Sequence, residues 1–342
     1  MTAWAMFVQE RLGRIQSPGS PLYWPYVVSA AAIAVLFLKR AAGMTVGDAV
    51  RAVASPHVWL TRSTLTDVVM TLAHETLVAV PTLALGACVS NGVLGALGER
   101  AAGAIGASGW TAPLVVQSAA VTLAMMLAID LGTFVAHRLH HAVPFLWEIH
   151  AVHHSAEQLT LFTAHRLHPL EALLRAAVQG VCTGCALFAL KLLFGHLAPA
   201  ITVWGLGVGF FVHMFTNNLL HSHVPVRYPR WLRPLVLSPH VHQLHHSRLA
   251  AHRDRNFGAV FPYWDRLCGT YLDIEVRLGE LAFGLDAGED PFKHSLVRCY
   301  LYPLAFPVLA LVRKLRGTSP ASVAQQMPAR GPRRPRSIAR GQ

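Results

Sequence analysis

Read for hydrophobic and polar positions, the chain is a series of long apolar runs separated by short basic or histidine-rich stretches. A helix needs about 20 mostly apolar residues to cross the hydrocarbon of a bilayer. Leu22–Leu38, Val68–Val89, Ala112–Ala136, Ala172–Gly195 and Leu197–Leu220 meet or approach that length. The last two are parted only by the turn around His196 and Pro199 and read as a helical hairpin, fully spanning or dipping in and out. A shorter run, Cys299–Val312, contains Pro303 and Pro307 and reads as an interfacial or buried helix. The pattern predicts an all-α, polytopic membrane bundle of four to five crossings with a cytoplasmic helical cap. Its expected parts are N-terminal membrane helices over 1–111, a histidine-bearing region over 112–316 and a disordered basic tail over 317–342.

Composition agrees, since of 342 residues 53% are hydrophobic and only 13% charged, against about a quarter charged in a soluble domain. The formal charge of +12 is carried by loops flanking the apolar runs and by the tail PARGPRRPRSIARGQ, which suits an anionic membrane face rather than nucleic acid. Lys39–Arg62 is basic, Gly92–Thr111 holds only Arg100, and the stretches after Ala136 and Leu220 are arginine-rich. The positive-inside rule then places both histidine-rich windows on the cytoplasmic side, in a bacterial cell at the inner membrane. Arg11 and Arg14 fall on the opposite side, a conflict that a surface-lying amphipathic N-terminal helix relieves. The N-terminus lacks the layout of a removed signal peptide, and the five cysteines suggest neither a disulfide framework nor a zinc ribbon.

Fifteen of the 20 histidines fall in two windows, His137–His168 and His221–His252. The densest clusters, HRLHH, HAVHH and HQLHH, all use i, i+3 or i, i+4 spacing, which presents imidazoles on one stripe of a helix. A single histidine is more often a satisfied polar residue than a ligand, but three such clusters on one membrane face reverse those odds. Imidazole is the commonest nitrogen ligand of iron, zinc and copper. Eight such ligands exceed the need of one ion, so two metals are the natural count. Neither the Glu-x-x-His pairs of ferritin-like di-iron bundles nor the H-E-x-x-H motif of metalloproteases occurs, and haem needs only one or two axial ligands. A nitrogen-rich two-iron centre that activates dioxygen for attack on a C–H bond fits what remains.

The order HRLHH, HAVHH, HQLHH resembles the fatty acid hydroxylase and sterol desaturase superfamily of integral membrane di-iron enzymes. So do Asp130 before the first box, FLWEIHAVHHS with TAHRLHPLE, SPHVHQLHHS, and the ending NFGAVFPYWDRLCGTY. The resemblance covers about Asp130 to Tyr271. It implies metal ligands at His137, His141, His150, His153, His154, His242, His245 and His246, a further ligand among His213, His221 and His223 with His221 best placed, and His168 completing the shell. Beside these, His140 reads as a support for the first box rather than a ligand, and Asp130 and Asp265 as acceptors for the outer ring N–H of liganding histidines. His240 reads as an orienting neighbour, His165 and His252 as surface groups, and Asn256 and Trp264 as caps of the terminal substructure. His74 and Glu75 lie in an apolar run, where ionisable groups are costly and often functional; a mutual pair is an equal account.

The implied reaction is hydroxylation or desaturation of a lipid, whether fatty acyl, sterol-like, isoprenoid or ether lipid, with O2, two iron ions and external electrons. Zinc is the expected substitute metal. No dinucleotide fingerprint or iron–sulfur cysteine set is present, so a separate ferredoxin or b-type cytochrome with its reductase is implied. Arg227, Arg230, Arg233 and Arg248 offer an acidic carrier a docking face, or face the membrane surface. The alternatives are a membrane zinc hydrolase, for which Glu148, Glu157 and Glu171 are weak candidate bases, a metal transporter, and a non-catalytic metal- or lipid-binding protein.

Overall fold

The computed structural model describes residues 22–101, 112–203, 206–207, 217–276, 279–285, 290–292 and 294–315, with residues 9, 13, 16, 17 and 20. The tail expected to be disordered and His213 lie outside the described residues.

Pro25 near the start of α1 (Trp24–Ala41) suits a first helical turn. A short α2 (Val46–Val53) follows, capped by the Thr45 hydroxyl, which accepts from the Asp48 amide at 3.1 Å. The next apolar run is longer than its hydropathy suggests. Thr61 caps α3 (Arg62–Ala73), which passes through a π turn at His74–Val78 into α4 (Ala79–Ala101). The 29-residue α5 (Leu114–Ala142) extends through the first histidine box. At 1.5 Å per residue it measures about 43 Å, more than the roughly 30 Å of bilayer hydrocarbon, so its last turns carry His137 and His141 past the apolar slab.

Val143 breaks that helix in extended backbone, and Pro144 opens α6 (Pro144–His154), which ends on the second box. A 3-10 turn, Leu161–His165, leads to α7 (Pro169–Phe194), which is closed by Gly195 in the left-handed region at φ 76°. The third box forms α8 (Pro239–His246), buried at every position. The last helix, α9 (Leu296–Leu315), contains Pro303 and Pro307, and its buried Cys299 packs with Ala151 and Val152 of α6.

Four helical stretches are long and apolar enough to cross a membrane: Trp24–Ala41, Arg62–Arg100, Leu114–Ala142 and Pro169–Phe194. The chain is an all-α integral membrane protein, and large apolar side chains such as Leu36, Leu65, Leu77, Leu83, Val115 and Leu123 are exposed on these helices, as a lipid-facing surface requires. The expected fifth crossing, Leu197–Leu220, is not among the apolar helices of the described residues. There Thr202–Val203 pairs antiparallel with Leu206–Gly207, and Asn217–Leu220 forms one helical turn.

α7 is the central rod, close against α4 and α5 because glycines stand at the crossings. A Cβ on Gly180 would meet the Gly86 carbonyl oxygen at 2.6 Å, and one on Gly132 would meet Gln179 Cα at 2.6 Å. Small residues that let backbones approach are how helices associate where lipid removes the hydrophobic drive. A separate apolar core joins Ala30, Ala34 and Leu38 of α1 to Ala49 of α2 and to Leu219, Val224, Val226 and Tyr228. This core holds the segment carrying His221 to the first helix.

Candidate metal centre

Four segments, α5, α6, α8 and the stretch carrying His221, converge on one buried cluster of imidazoles. Possible ligand atoms of His137, His141, His150, His154 and His245 lie within 4.8 Å of one another, and those of His153, His221, His242 and His246 form a second such group. The HxxHH spacing produces this division. In α6, His150 and His154 are four apart and enter one group, while His153, rotated by about 100° from its neighbour, enters the other. In α8, His242 and His246 enter the second group and His245 the first. The groups adjoin, with the rings of His154 and His246 stacked at 4.6 Å and those of His153 and His246 also at 4.6 Å.

In the first group, outer contacts fix which nitrogen turns inward. Nδ1 of His137 bonds the Phe257 carbonyl at 2.8 Å, that of His150 bonds Glu171 Oε1 at 2.8 Å, and that of His245 bonds the Arg255 carbonyl at 2.7 Å. Asp254 stands 3.4 Å from Nδ1 of His141. The inner Nε2 atoms of His137, His141, His150, His154 and His245 are all buried with no hydrogen-bond partner among the described residues. Buried ring nitrogens are normally satisfied; five unsatisfied ones facing a common point have the arrangement of a ligand set. In the second group the Nε2 atoms crowd together instead, with His153 to His221 at 3.2 Å, His221 to His242 at 2.9 Å and His242 to His246 at 3.1 Å.

Burial, then the neighbouring imidazoles, holds His150, His153, His154, His242 and His246 well below the ordinary histidine range. The same burial brings His221 down to about 3 and His245 to about 4. These rings are therefore neutral, the form that binds metal. A cavity of about 500 Å³ runs from His137, His150, His153, His221 and His242 toward Leu83, Met126 and Ile129 of the spanning helices.

Residues 122–270 match the family described as fatty acid hydroxylase. They belong to that family. Relatives of this hydroxylase region include the ornithine lipid hydroxylase of Rhizobium tropici, 31% identical over 44% of this chain and 41% of that protein. The human alkylglycerol monooxygenase is 28% identical over 52% of this chain and 34% of its own length. The mouse lathosterol oxidase is 27% identical over 42% of each. The chain thus spans less than half the length of these curated relatives. No solved structure matches.

Within the hydroxylase region, eight box histidines and His221 come together, and other expected residues are placed elsewhere. His223 turns its ring to Trp59 at 6.0 Å. His168 caps α7: Nδ1 accepts from the Leu170 amide at 3.1 Å and Nε2 bonds the Tyr300 carbonyl at 3.0 Å, so both ring nitrogens are engaged away from the cluster. His140, 1% exposed, bonds the Ala136 carbonyl at 2.7 Å and lies 5.6 Å ring to ring from His150, outside both ligand groups.

Asp130 and Asp265 act on backbone rather than on the rings. Asp130 accepts from the Val260 and Phe261 amides at 2.8 and 3.2 Å and from the Trp264 indole at 2.9 Å. Asp265 accepts from the Phe257 and Gly258 amides at 2.9 and 2.7 Å, fixing the residue whose carbonyl holds His137. Asn256 bonds the Val241 and Leu272 carbonyls at 2.9 and 2.8 Å as a cap, and His240 bonds the Ile274 carbonyl at 2.6 Å.

His165 and His252, expected at the surface, are instead enclosed: His252 is 4% exposed, and His165 packs against His74 with ring centres 4.9 Å apart. Of the four arginines read as a docking face, Arg227 and Arg233 both pair with Asp273, at 2.9 and 3.4 Å, and Arg248 bonds the Gly284 carbonyl at 3.1 Å. Glu171, expected as a weak candidate base, instead holds the second box through Nδ1 of His150 at 2.8 Å.

Proposed function

We propose that the chain is a membrane lipid oxygenase in which nine histidines hold two iron ions. His137, His141, His150, His154 and His245 hold one, and His153, His221, His242 and His246 the other; zinc is the substitute to expect in overproduced protein. The observation that carries this reading is the set of five buried, partnerless Nε2 atoms beside four crowded ones, at the end of a cavity walled by membrane helices. Supplied with O2 and two electrons, such a pair provides the oxidising power that attack on an unactivated C–H bond demands.

The protein's own residues set the stage. Glu171 and the carbonyls of Phe257 and Arg255 hold three rings in one tautomer, which raises ligand basicity and limits rotation. Leu83, Met126 and Ile129 wall the chamber on the membrane side, giving an apolar chain lateral entry while restricting bulk water. An ornithine lipid, an alkylglycerol and lathosterol, the compounds in the relatives' names, each combine a polar end with an apolar body. The substrate of this chain is an amphiphile of that kind, hydroxylated or desaturated on its apolar part. Electrons come from a separate ferredoxin or b-type cytochrome at the cytoplasmic face of the inner membrane.

Lipid extracts of cells making the wild type, His153→Ala or His245→Ala, grown in air and under 18O2, test the reading. A product made only with O2 and only by the wild type is expected. A product that both variants still make, or that forms without oxygen, would remove the proposal.

A further inference from the structure

A third group of ligating side chains lies outside the nine-histidine centre. His74 and Glu75 are adjacent in the π turn of the second spanning stretch, and His165 ends the 3-10 turn before α7. Possible ligand atoms of the three lie within 4.8 Å of one another. His74 is 9% and Glu75 4% exposed, and all three line the cavity that reaches His153 and His221.

The backbone is adapted to this meeting. The buried face of α3 runs through Asp67, Met70 and Thr71, which brings His74 inward one turn later at ordinary helical spacing. The π turn, in which the Ala79 amide bonds the His74 carbonyl, keeps Glu75 buried beside it. Such wide turns concentrate at functional sites. On the other side, His165 is delivered by a clamp that uses none of the three. Thr163 Oγ1 donates to Asp67 Oδ2 at 2.6 Å, Arg166 pairs with Asp67 Oδ1 at 2.8 Å, and Thr71 Oγ1 donates to the Phe162 carbonyl at 3.2 Å.

We propose that His74, Glu75 and His165 form a third cation site, for a single divalent first-row transition ion, opening onto the chamber of the main centre. Two imidazoles and one carboxylate are a donor set that iron and zinc accept. Nε2 of His165 stands 3.9 Å from Glu75 Oε1, too far for a hydrogen bond, yet an ion about 2.1 Å from each fits between them. Two atoms bound at that length are at most about 4.2 Å apart, so the widest spacing closes with about half an ångström of side-chain movement. Nδ1 of His165 is buried with no hydrogen-bond partner among the described residues. The remaining coordination positions face the chamber and are open to an oxygen of the ligand that occupies it. This site stands whichever metal the nine histidines hold.

The test is metal stoichiometry on the full chain in detergent, stripped and then titrated with Zn2+ against a competing chelator. The wild type is expected to take one equivalent more than Glu75→Gln and one more than the His74→Ala/His165→Ala double variant. His245→Ala should lose metal from the main centre and retain the third ion, so failure of the oxygenase reading and failure of this one give different results. Equal stoichiometry in the wild type and Glu75→Gln overturns the proposal. A second measurement needs no variant: the last equivalent of Zn2+ should slow labelling of His74 and His165 by diethylpyrocarbonate in the wild-type chain several-fold. Unchanged labelling of both also overturns it.

Discussion

At the scale of single residues, the candidate centre depends on groups that belong to neither histidine cluster. Glu171 is 5% exposed and holds His150 at 2.8 Å. Removing such an outer partner typically lowers metal affinity about 10- to 100-fold. Glu171→Ala is therefore expected to weaken metal binding at the group containing His150 by that factor in chelator competition, with Glu171→Gln recovering part because its amide oxygen accepts the same bond. The convergence of the box histidines was legible in the chain, since HxxxH and HxxHH state both identity and spacing. Glu171 was not, because its contact with His150 depends on how the start of α7 docks against α6. The roles of Asp130 and Asp265 were missed for a related reason: each reaches a backbone amide in the terminal loop, and backbone partners leave no residue-type signature.

At the scale of elements, hydropathy located four of the spanning helices and misjudged their ends. The third apolar run stops at Ala136, but the helix runs on to Ala142, because histidine and arginine continue a helix as readily as they leave a bilayer. The π turn left no mark in the pattern either, as a single inserted residue shifts a helical face without changing its composition. Packing between elements is very close where α7 meets α4, with the Gly86 carbonyl 2.6 Å from where a Gly180 side chain would begin. Gly180→Val should force these helices apart at a cost of at least about 1–3 kcal/mol, read as a lower melting temperature in detergent. A substitution to Val at the exposed Gly95, which has open space around it, should move the melting point far less.

For the whole molecule, one buried ion pair ties the membrane part to the metal-binding part. Arg166 and Asp67 are both 0% exposed and 2.8 Å apart. Arg166 also donates to the Val152 carbonyl at 2.9 Å and to Ser155 Oγ at 2.8 Å, at the end of the helix that carries the second box. Deleting one member leaves the other charged and buried, which costs about 3–5 kcal/mol. Arg166→Ala should thus lower both thermal stability and metal retention, and Asp67→Asn should do so less, because its amide oxygen still accepts from the guanidinium. Nothing local in the sequence points to this pair, whose members are separated by 99 residues.

The order in which the donors occur along the chain, from His137 on α5 to His246 on α8, has a consequence for biogenesis. A ribosome that has reached only the second box has delivered half a basket, with its remaining rim still unmade. The centre can close only when α8, with its eight buried residues, swings in beneath the inserted helices. Any metal that these nine rings hold together is accordingly loaded late, after insertion.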